Sequence, residues 1–382
     1  MITSRRDFFR FGLGAATASA VRWPLTGVSA ALIFEPSRFQ EDPGLIRLNS
    51  NENAYGPSET VADAVKSAVG SSNRYAYMQY DDLTESIANL HHVKPGQILL
   101  GCGSTEILRV AASAFLGSGK ELIQASPTFG AMEHYAHMAG SEVISVRLAP
   151  TFAHDLDGMM AHVNASTTLI YICNPNNPTA SLTPRKDLER FIDTLPPSVL
   201  VVIDEAYHHY AGTSGMYASF IDQPLRDQKV IVTRTFSKVY GLAGLRLGYA
   251  VASANAIQQM QRFITENNVN AIATQAASAA LADTDGVRAS VRRNADDRQE
   301  FFNQAQARAL KPIDSHANFL MMNTSHPAKD VIQHFRNNNI LIGRYFPPMD
   351  TYVRISLGRE DEMLTFWRVW DKLPYAKNIM HH

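Results

Sequence analysis

The stretch VTRTFSKVYGLAGLRLGY, residues 232–249, decides how the rest of the chain is read. An apolar run at 230–233 leads into it, so Ser237 and Lys238 stand just past a candidate strand, and Arg246 follows further along the same segment. In open α/β sheets ligands bind outside the carboxyl ends of the strands, which makes polar residues at those places candidates for chemistry. Upstream, LVVIDEAYHHY (200–210) closes a buried run on Asp204, with Tyr207 shortly after it. An acid at the mouth of a hydrophobic strand is costly unless it meets a cationic or protonated partner. YICNPNNPTA (171–180) ends its run in a proline-locked turn around Asn176 and Asn177. In GCGSTEIL (101–108), Gly101 and Gly103 allow tight turning before Ser104, Thr105 and Glu106 open an amphipathic helix that runs through Phe115. Such a turn offers free N–H groups and the positive end of a helix dipole to a phosphate. Taken singly, these features read as a helix cap, a solvated lysine and a turn, and neither GxGxxG nor the Walker lysine is present. Taken together and in this order, they ask for a common explanation.

The wider pattern is α/β. Short apolar runs at 98–100, 121–124, 169–173, 199–203, 230–233 and 248–251 alternate with helix-like segments. That is the rhythm of a parallel sheet covered by helices. Several of the runs pass directly into polar or glycine-rich sequence, and those junctions hold the candidate residues.

With these motifs in place, the chain resembles the fold-type I, class I/II pyridoxal-phosphate aminotransferases, and most closely their histidinol-phosphate aminotransferase branch. The resemblance runs from LNSNENAYGPS at Leu48 to VRISLG near Gly358. It implies a large domain built on a mostly parallel, seven-stranded-type sheet plus a smaller α/β domain. It also implies pyridoxal 5'-phosphate as cofactor, with Lys238 carrying the internal Schiff base. By the same resemblance Asp204 pairs with the pyridinium nitrogen, Asn177 and Tyr207 bond the phenolic oxygen, and Ser104, Thr105, Ser237 and Arg246 hold the phosphate. Phe129 of SPTFGAM stacks on the ring, and Tyr75 of NRYAY reaches the phosphate of the neighbouring subunit, which implies a homodimer with shared sites. Arg344 in LIGRYF and Arg354 in YVRISLG occupy the family's anion-binding positions, and a guanidinium fork suits a carboxylate or a phosphate equally.

The chemistry fits these residue types. A buried acid that keeps the pyridine nitrogen protonated makes the ring an electron sink, and the cation in turn offsets the acid's desolvation. A lysine released from the cofactor can act as general base and acid between the substrate's α-carbon and the cofactor's C4' carbon.

Four positions depart from the histidinol-phosphate pattern. The Pro-Tyr pair before Leu48 is absent, Thr105 stands where an acid is usual, RYAY replaces Arg-Tyr-Pro, and Ala180 stands where glycine is usual, which reshapes the turn. The expected reaction is therefore transfer from an α-amino acid, or a histidinol-phosphate-like amine, to a 2-oxo acid. The same cofactor site could instead serve a decarboxylase, racemase or lyase. A rival of another class is an exported protein that binds cofactor or amine without turnover.

Composition narrows the partners. In 382 residues, 35 Lys and Arg balance 36 Asp and Glu, so no nucleic-acid surface is advertised. Cys102 and Cys173 match neither a disulfide framework nor a zinc pattern, and read as buried packing. The pairs His91-His92, His208-His209 and His381-His382 make poor metal sites, because sequence neighbours do not face one another, although His208 or His209 could line the cleft. Asp81-Asp82 and Asp296-Asp297 read as solvated helix faces or N-terminal helix charges.

Past residue 30 no apolar run is long enough for a bilayer, so no stable membrane anchor is expected. Residues 4–30, SRRDFFRFGLGAATASAVRWPLTGVSA, look like a twin-arginine signal: Arg5 and Arg6 precede Phe8 and Phe9, then a weakly apolar stretch leads to Val28-Ser29-Ala30. The address implies the twin-arginine translocase as a partner and a periplasmic or secreted location, with a cytoplasmic one as the alternative. The expected organisation is a signal at 1–30, an arm and part of the small domain at 31–72, a large cofactor-binding domain at 73–275 and a C-terminal small domain at 276–382. The helical region at 267–282 is read as the crossover.

Overall fold

A computed structural model describes residues 44–221 and 228–374. Its strands among those residues are β1 (Ile46–Leu48), β2 (Ile98–Gly101), β3 (Glu121–Ser126), β4 (Glu142–Arg147), β5 (Thr167–Cys173), β6 (Leu200–Asp204), β7 (Val230–Thr235), β8 (Gly248–Val251), β9 (Lys311–Pro312), β10 (Phe319–Asn323), β11 (Ile340–Ile342) and β12 (Tyr352–Ser356). Seven of them form one sheet in the order β2-β8-β7-β6-β5-β3-β4. Only β8 runs against its neighbours, so the sheet is mostly parallel, as the sequence pattern predicts.

Burial on both faces explains the near-continuous apolar runs. Alternate residues face opposite ways: Ile170, Ile172, Val201, Ile203 and Val232 join one core, while Leu169, Tyr171, Val202 and Ile231 join the other. Each of the six apolar runs read from sequence is a strand of this sheet. β4 was missed because it is an edge strand, EVISVR, in which only Val146 is fully buried.

The helix Ser104–Phe115 begins where it was expected and buries Ile107, Leu108, Val110, Ala111, Ala112 and Phe115. The expected helical region at 267–282 starts later, at Ala271, because the Asn270 side chain caps it by accepting from Ala273 N.

Two smaller sheets complete the described chain. In one, β10 pairs antiparallel with β9 and β12; in the other, β1 pairs parallel with β11, so that Ile46 lies opposite Ile340. Leu48, Leu320, Phe335, Val353, Phe366 and Trp370 share a third core there. At its centre Phe335 and Phe366 stack with ring centroids 4.7 Å apart. This arrangement brings the segment after β1 alongside β12, and both reach the carboxyl ends of β5, β6 and β7.

Candidate active site

Asp204 is the last residue of β6, paired with Cys173 of β5 on one side and Thr233 of β7 on the other. Its side chain is almost fully buried. Tyr171 donates to its Oδ2 at 3.0 Å, while Thr233 Oγ1 and the Ala206 N–H donate to Oδ1 at 3.1 and 3.2 Å. None of these partners carries charge, and burial pushes the carboxyl above its ordinary range. A buried acid served only by neutral donors is a fitting partner for a cationic ring nitrogen.

The second half of the site is a cradle. Gly103 caps the helix Ser104–Phe115 with φ +74°, a conformation that favours glycine, and its missing Cβ makes room for Arg246. A Cβ there would overlap Arg246 Nη2 and lie 3.0 Å from Cζ. Arg246 is itself left-handed at φ +56°, and its Nη1 donates to Ser237 Oγ at 3.3 Å and to Ala243 O at 3.0 Å. Gly248 is equally constrained, since a Cβ on it would overlap the backbone nitrogen of Ser104. Arg246 and Ser237 thus meet beside the N-terminus of the helix that Ser104 and Thr105 open, a place that suits a phosphate. The cap is not made by a serine or threonine side chain; Glu106 instead reaches back to accept from Cys102 N at 2.7 Å.

Lys238 lies between the acid and the cradle. Its amine is recessed but keeps some solvent contact, and it donates to Asn51 O at 2.9 Å. Burial, with Arg354 nearby, lowers its pKa to about 8. The ring of Tyr207 is 5.6 Å from Nζ. Arg354 comes from β12 and is buried; its Nη1 donates to Asn177 Oδ1 at 2.7 Å and its Nη2 to Asn49 O at 2.5 Å. Its Nε is buried without a partner, and burial lowers its pKa to about 10. Arg344 is exposed, but its guanidinium lies over the Phe346 ring at 4.4 Å, with Arg354 over the same ring at 4.8 Å. Phe129 is partly buried and packs against the core that includes Leu169 and Tyr171, and its neighbour Thr128 donates to Asn176 Oδ1 at 2.8 Å. Tyr75 is 73% exposed, its ring 5.7 Å from Tyr77, and it makes none of these hydrogen bonds.

Several contributors escaped the sequence reading. The segment Asn49, Ser50, Asn51 lies across the site and meets Arg354, Lys238 and Tyr207, while Asn318 holds it by donating to Asn51 O at 3.1 Å and Glu52 O at 3.0 Å. The available signal was LNSNEN itself, a run of amides directly after an apolar strand. Tyr171 was hidden within an apolar run.

Beneath Asp204 and Lys238, Arg234 and Glu205 form an ion pair at 2.8 Å with almost no solvent exposure. His91, His208 and His209 surround it as neutral groups; burial, with Arg234 as the next cause, lowers His91 and His209 to about 3 and His208 further.

Other expectations need correction. Cys102 is exposed, because it turns outward in the loop after β2. Asp297 is not simply solvated; it accepts from Tyr55 at 3.3 Å. Ala180 takes a φ of +59°, and its N–H donates to Asn176 O at 2.8 Å. Among the described residues no cluster of His, Cys, Asp and Glu could hold a metal, and no helix is long and apolar enough to cross a membrane. The signal expected at 1–30, much of the expected arm, and His381-His382 lie outside the described residues.

The fold is that of a fold-type I pyridoxal-phosphate enzyme, with Asp204, Lys238 and Arg246 gathered past the carboxyl ends of the central strands of a mostly parallel sheet. Residues 43–366 match the aminotransferase class I and II profile, and the chain belongs to that family. It is a pyridoxal-phosphate-dependent aminotransferase. The histidinol-phosphate aminotransferase of Caldicellulosiruptor saccharolyticus is 35% identical, covering 84% of this chain and 90% of the relative. Histidinol-phosphate aminotransferase 2 of Carboxydothermus hydrogenoformans is 38% identical over 82% of this chain and 86% of its own. The structure of histidinol-phosphate aminotransferase from Sinorhizobium meliloti in complex with pyridoxal-5'-phosphate superposes with a TM-score of 0.81 at 27% identity, covering 88% of this chain and 91% of that one.

Proposed function

We propose that the enzyme moves an amino group from an α-amino acid to a 2-oxo acid, with Lys238 as the cofactor's attachment point and the proton carrier. When bound, pyridoxal phosphate supplies an electron-withdrawing ring conjugated to the substrate's α-carbon. Asp204 would keep the ring nitrogen protonated, and Asn177 and Tyr207 would bond the phenolic oxygen. Ser104, Thr105, Ser237 and Arg246 would hold the phosphate, and Phe129 would cover the ring. Lys238, which would hold the cofactor, would also be the group that takes a proton from the substrate's α-carbon at its Nζ and gives it back. Its lowered pKa favours the neutral amine that this role needs.

The observation that carries the substrate reading is Arg354. It is a buried guanidinium already shared with Asn177, carrying one unpartnered N–H, and it suits a carboxylate's paired oxygens. Arg344, across the Phe346 ring, would take a second anionic group. A histidinol-phosphate-like amine is the second reading, favoured by what the relatives are named for. Mixing holoenzyme with single L-amino acids or with histidinol phosphate tests both. Bleaching of the visible cofactor band by an amino acid, restored by a 2-oxo acid, supports the first; bleaching by histidinol phosphate alone supports the second. Release of carbon dioxide, or of racemised amino acid, contradicts both.

The proposal extends to assembly and location. Tyr75, Tyr77 and Met78 are 73%, 62% and 76% exposed, an apolar patch suited to a second copy of the chain, in which Tyr75 would complete the partner's phosphate site. Sedimentation at micromolar concentration should show a dimer, and an active monomer would contradict this. Arg5 and Arg6 ahead of Phe8 and Phe9 support export through the twin-arginine route to the periplasm or beyond. Replacing both arginines with lysine in a fusion of residues 1–30 to a reporter should block export; unchanged export would remove the claim.

A further inference from the structure

We infer that Asn51 is a positioning residue for the reaction, acting through the Tyr207 hydroxyl. The inference rests on the placement of Tyr207 at the cofactor's phenolic oxygen proposed above. Asn51 is buried and sits in the left-handed region at φ +53°. Each of its polar groups has a partner in the site. Its carbonyl accepts from Lys238 at 2.9 Å, its N–H donates to Ser356 Oγ at 2.8 Å, and its side-chain Nδ2 donates to Tyr207 Oη at 3.0 Å.

The direction of that last bond is what matters. Ser356 Oγ accepts from the Asn51 backbone and donates its own proton to Asn51 Oδ1 at 3.2 Å. That assigns the amide oxygen to Ser356 and leaves the NH2 group facing Tyr207. With a donor directed at its oxygen, Tyr207 keeps its own proton free to donate elsewhere. The ring cannot swing away to lose that geometry, because Phe319 packs against it edge-on with centroids 5.1 Å apart. A phenol held in this way is a directed donor to an anionic oxygen. The charged and titratable groups facing it are Arg354 from β12, Cys173, Asp204, Lys238 and Tyr210.

Asn51→Gly isolates the amide. Glycine adopts the same φ without strain and keeps the carbonyl bond to Lys238 and the N–H bond to Ser356. The test compares holoenzyme of the parent, Asn51→Gly, Tyr207→Phe and the double variant by the pH at which the visible cofactor band titrates, alongside kcat, KM and thermal midpoint. Losing a donor to an anionic oxygen makes the neighbouring proton harder to remove, so Tyr207→Phe should move the titration upward. Asn51→Gly should move it the same way by part of that shift, with kcat lowered about 3- to 10-fold and KM little changed. In the Tyr207→Phe background, Asn51→Gly should add nothing.

A parent-like titration in Asn51→Gly, or shifts that add in the double variant, would overturn the inference. If Tyr207→Phe itself leaves the titration unchanged, the placement of Tyr207 fails and this inference with it. Should Asn51→Gly not fold, Ser356→Ala frees the amide to turn and must shift the titration in the same direction; a parent-like curve there also overturns the inference.

Discussion

Gly103 and Arg246 occupy complementary space: the guanidinium fills the volume where any other residue at position 103 would carry its Cβ, and both residues have a positive φ. A cradle built this way tolerates little. Gly103→Ala should displace Arg246 and weaken cofactor binding about tenfold or more, with a further cost of about 1 kcal/mol to the fold from the positive φ. Equilibrium dialysis of the stripped protein against pyridoxal phosphate measures the first effect, and denaturant unfolding the second. Unchanged affinity would show that the phosphate sits elsewhere.

Asp204 makes a different prediction, because its neighbours are neutral. Its pKa is raised in the folded state, so the native protein binds a proton more tightly than the unfolded chain does. The charged form therefore costs stability above the raised value, and that cost fades as the pH falls through it towards the ordinary carboxylate range. Cofactor-free Asp204→Asn should be more stable than the parent at neutral pH, an advantage that shrinks in acid. Cofactor should stabilise the variant less than it stabilises the parent, and turnover should fall about 100-fold or more.

Lys238 runs the other way. Its folded pKa of about 8 lies below the ordinary value of 10.5, so between those values the unfolded chain holds the extra proton and stability rises with pH. Cofactor-free Lys238→Met should be more stable than the parent at and below pH 8, by about 1–2 kcal/mol once the amine's solvent contact is allowed for. The difference should disappear as the pH approaches 10.5, which urea titrations across that range would show.

Sequence reached the large sheet because burial on both faces leaves a legible run of apolar residues, and it reached Asp204, Lys238 and Arg246 because each follows such a run or its turn. It could not reach Asn51. The partners Tyr207 and Ser356 are far away in the chain, and what joins them is the pairing of β1 with β11 and the approach of β12, short strands with no distinctive period. β4 escaped for the opposite reason, its edge position leaving most of its side chains partly or fully exposed. The histidine pairs, read in sequence as poor metal sites, bring His91 from the end of the helix Tyr77–Leu90 and His208 and His209 from just after β6 near one buried ion pair, a grouping that no local pattern announces.

That ion pair carries its own prediction. Glu205→Gln leaves Arg234 charged and buried without its counterion, at a cost of about 3–5 kcal/mol. Combining it with Arg234→Met should recover part of the loss, because no lone charge then remains. Denaturant unfolding of the two singles and the double would show this, and fully additive losses would contradict it.

The most direct test of the central claim is to trap the cofactor on the protein. Holoenzyme reduced with borohydride, digested and examined by mass spectrometry should carry the pyridoxyl-phosphate mass on the peptide containing Lys238. The label on another lysine, or on none, would contradict the assignment of this site.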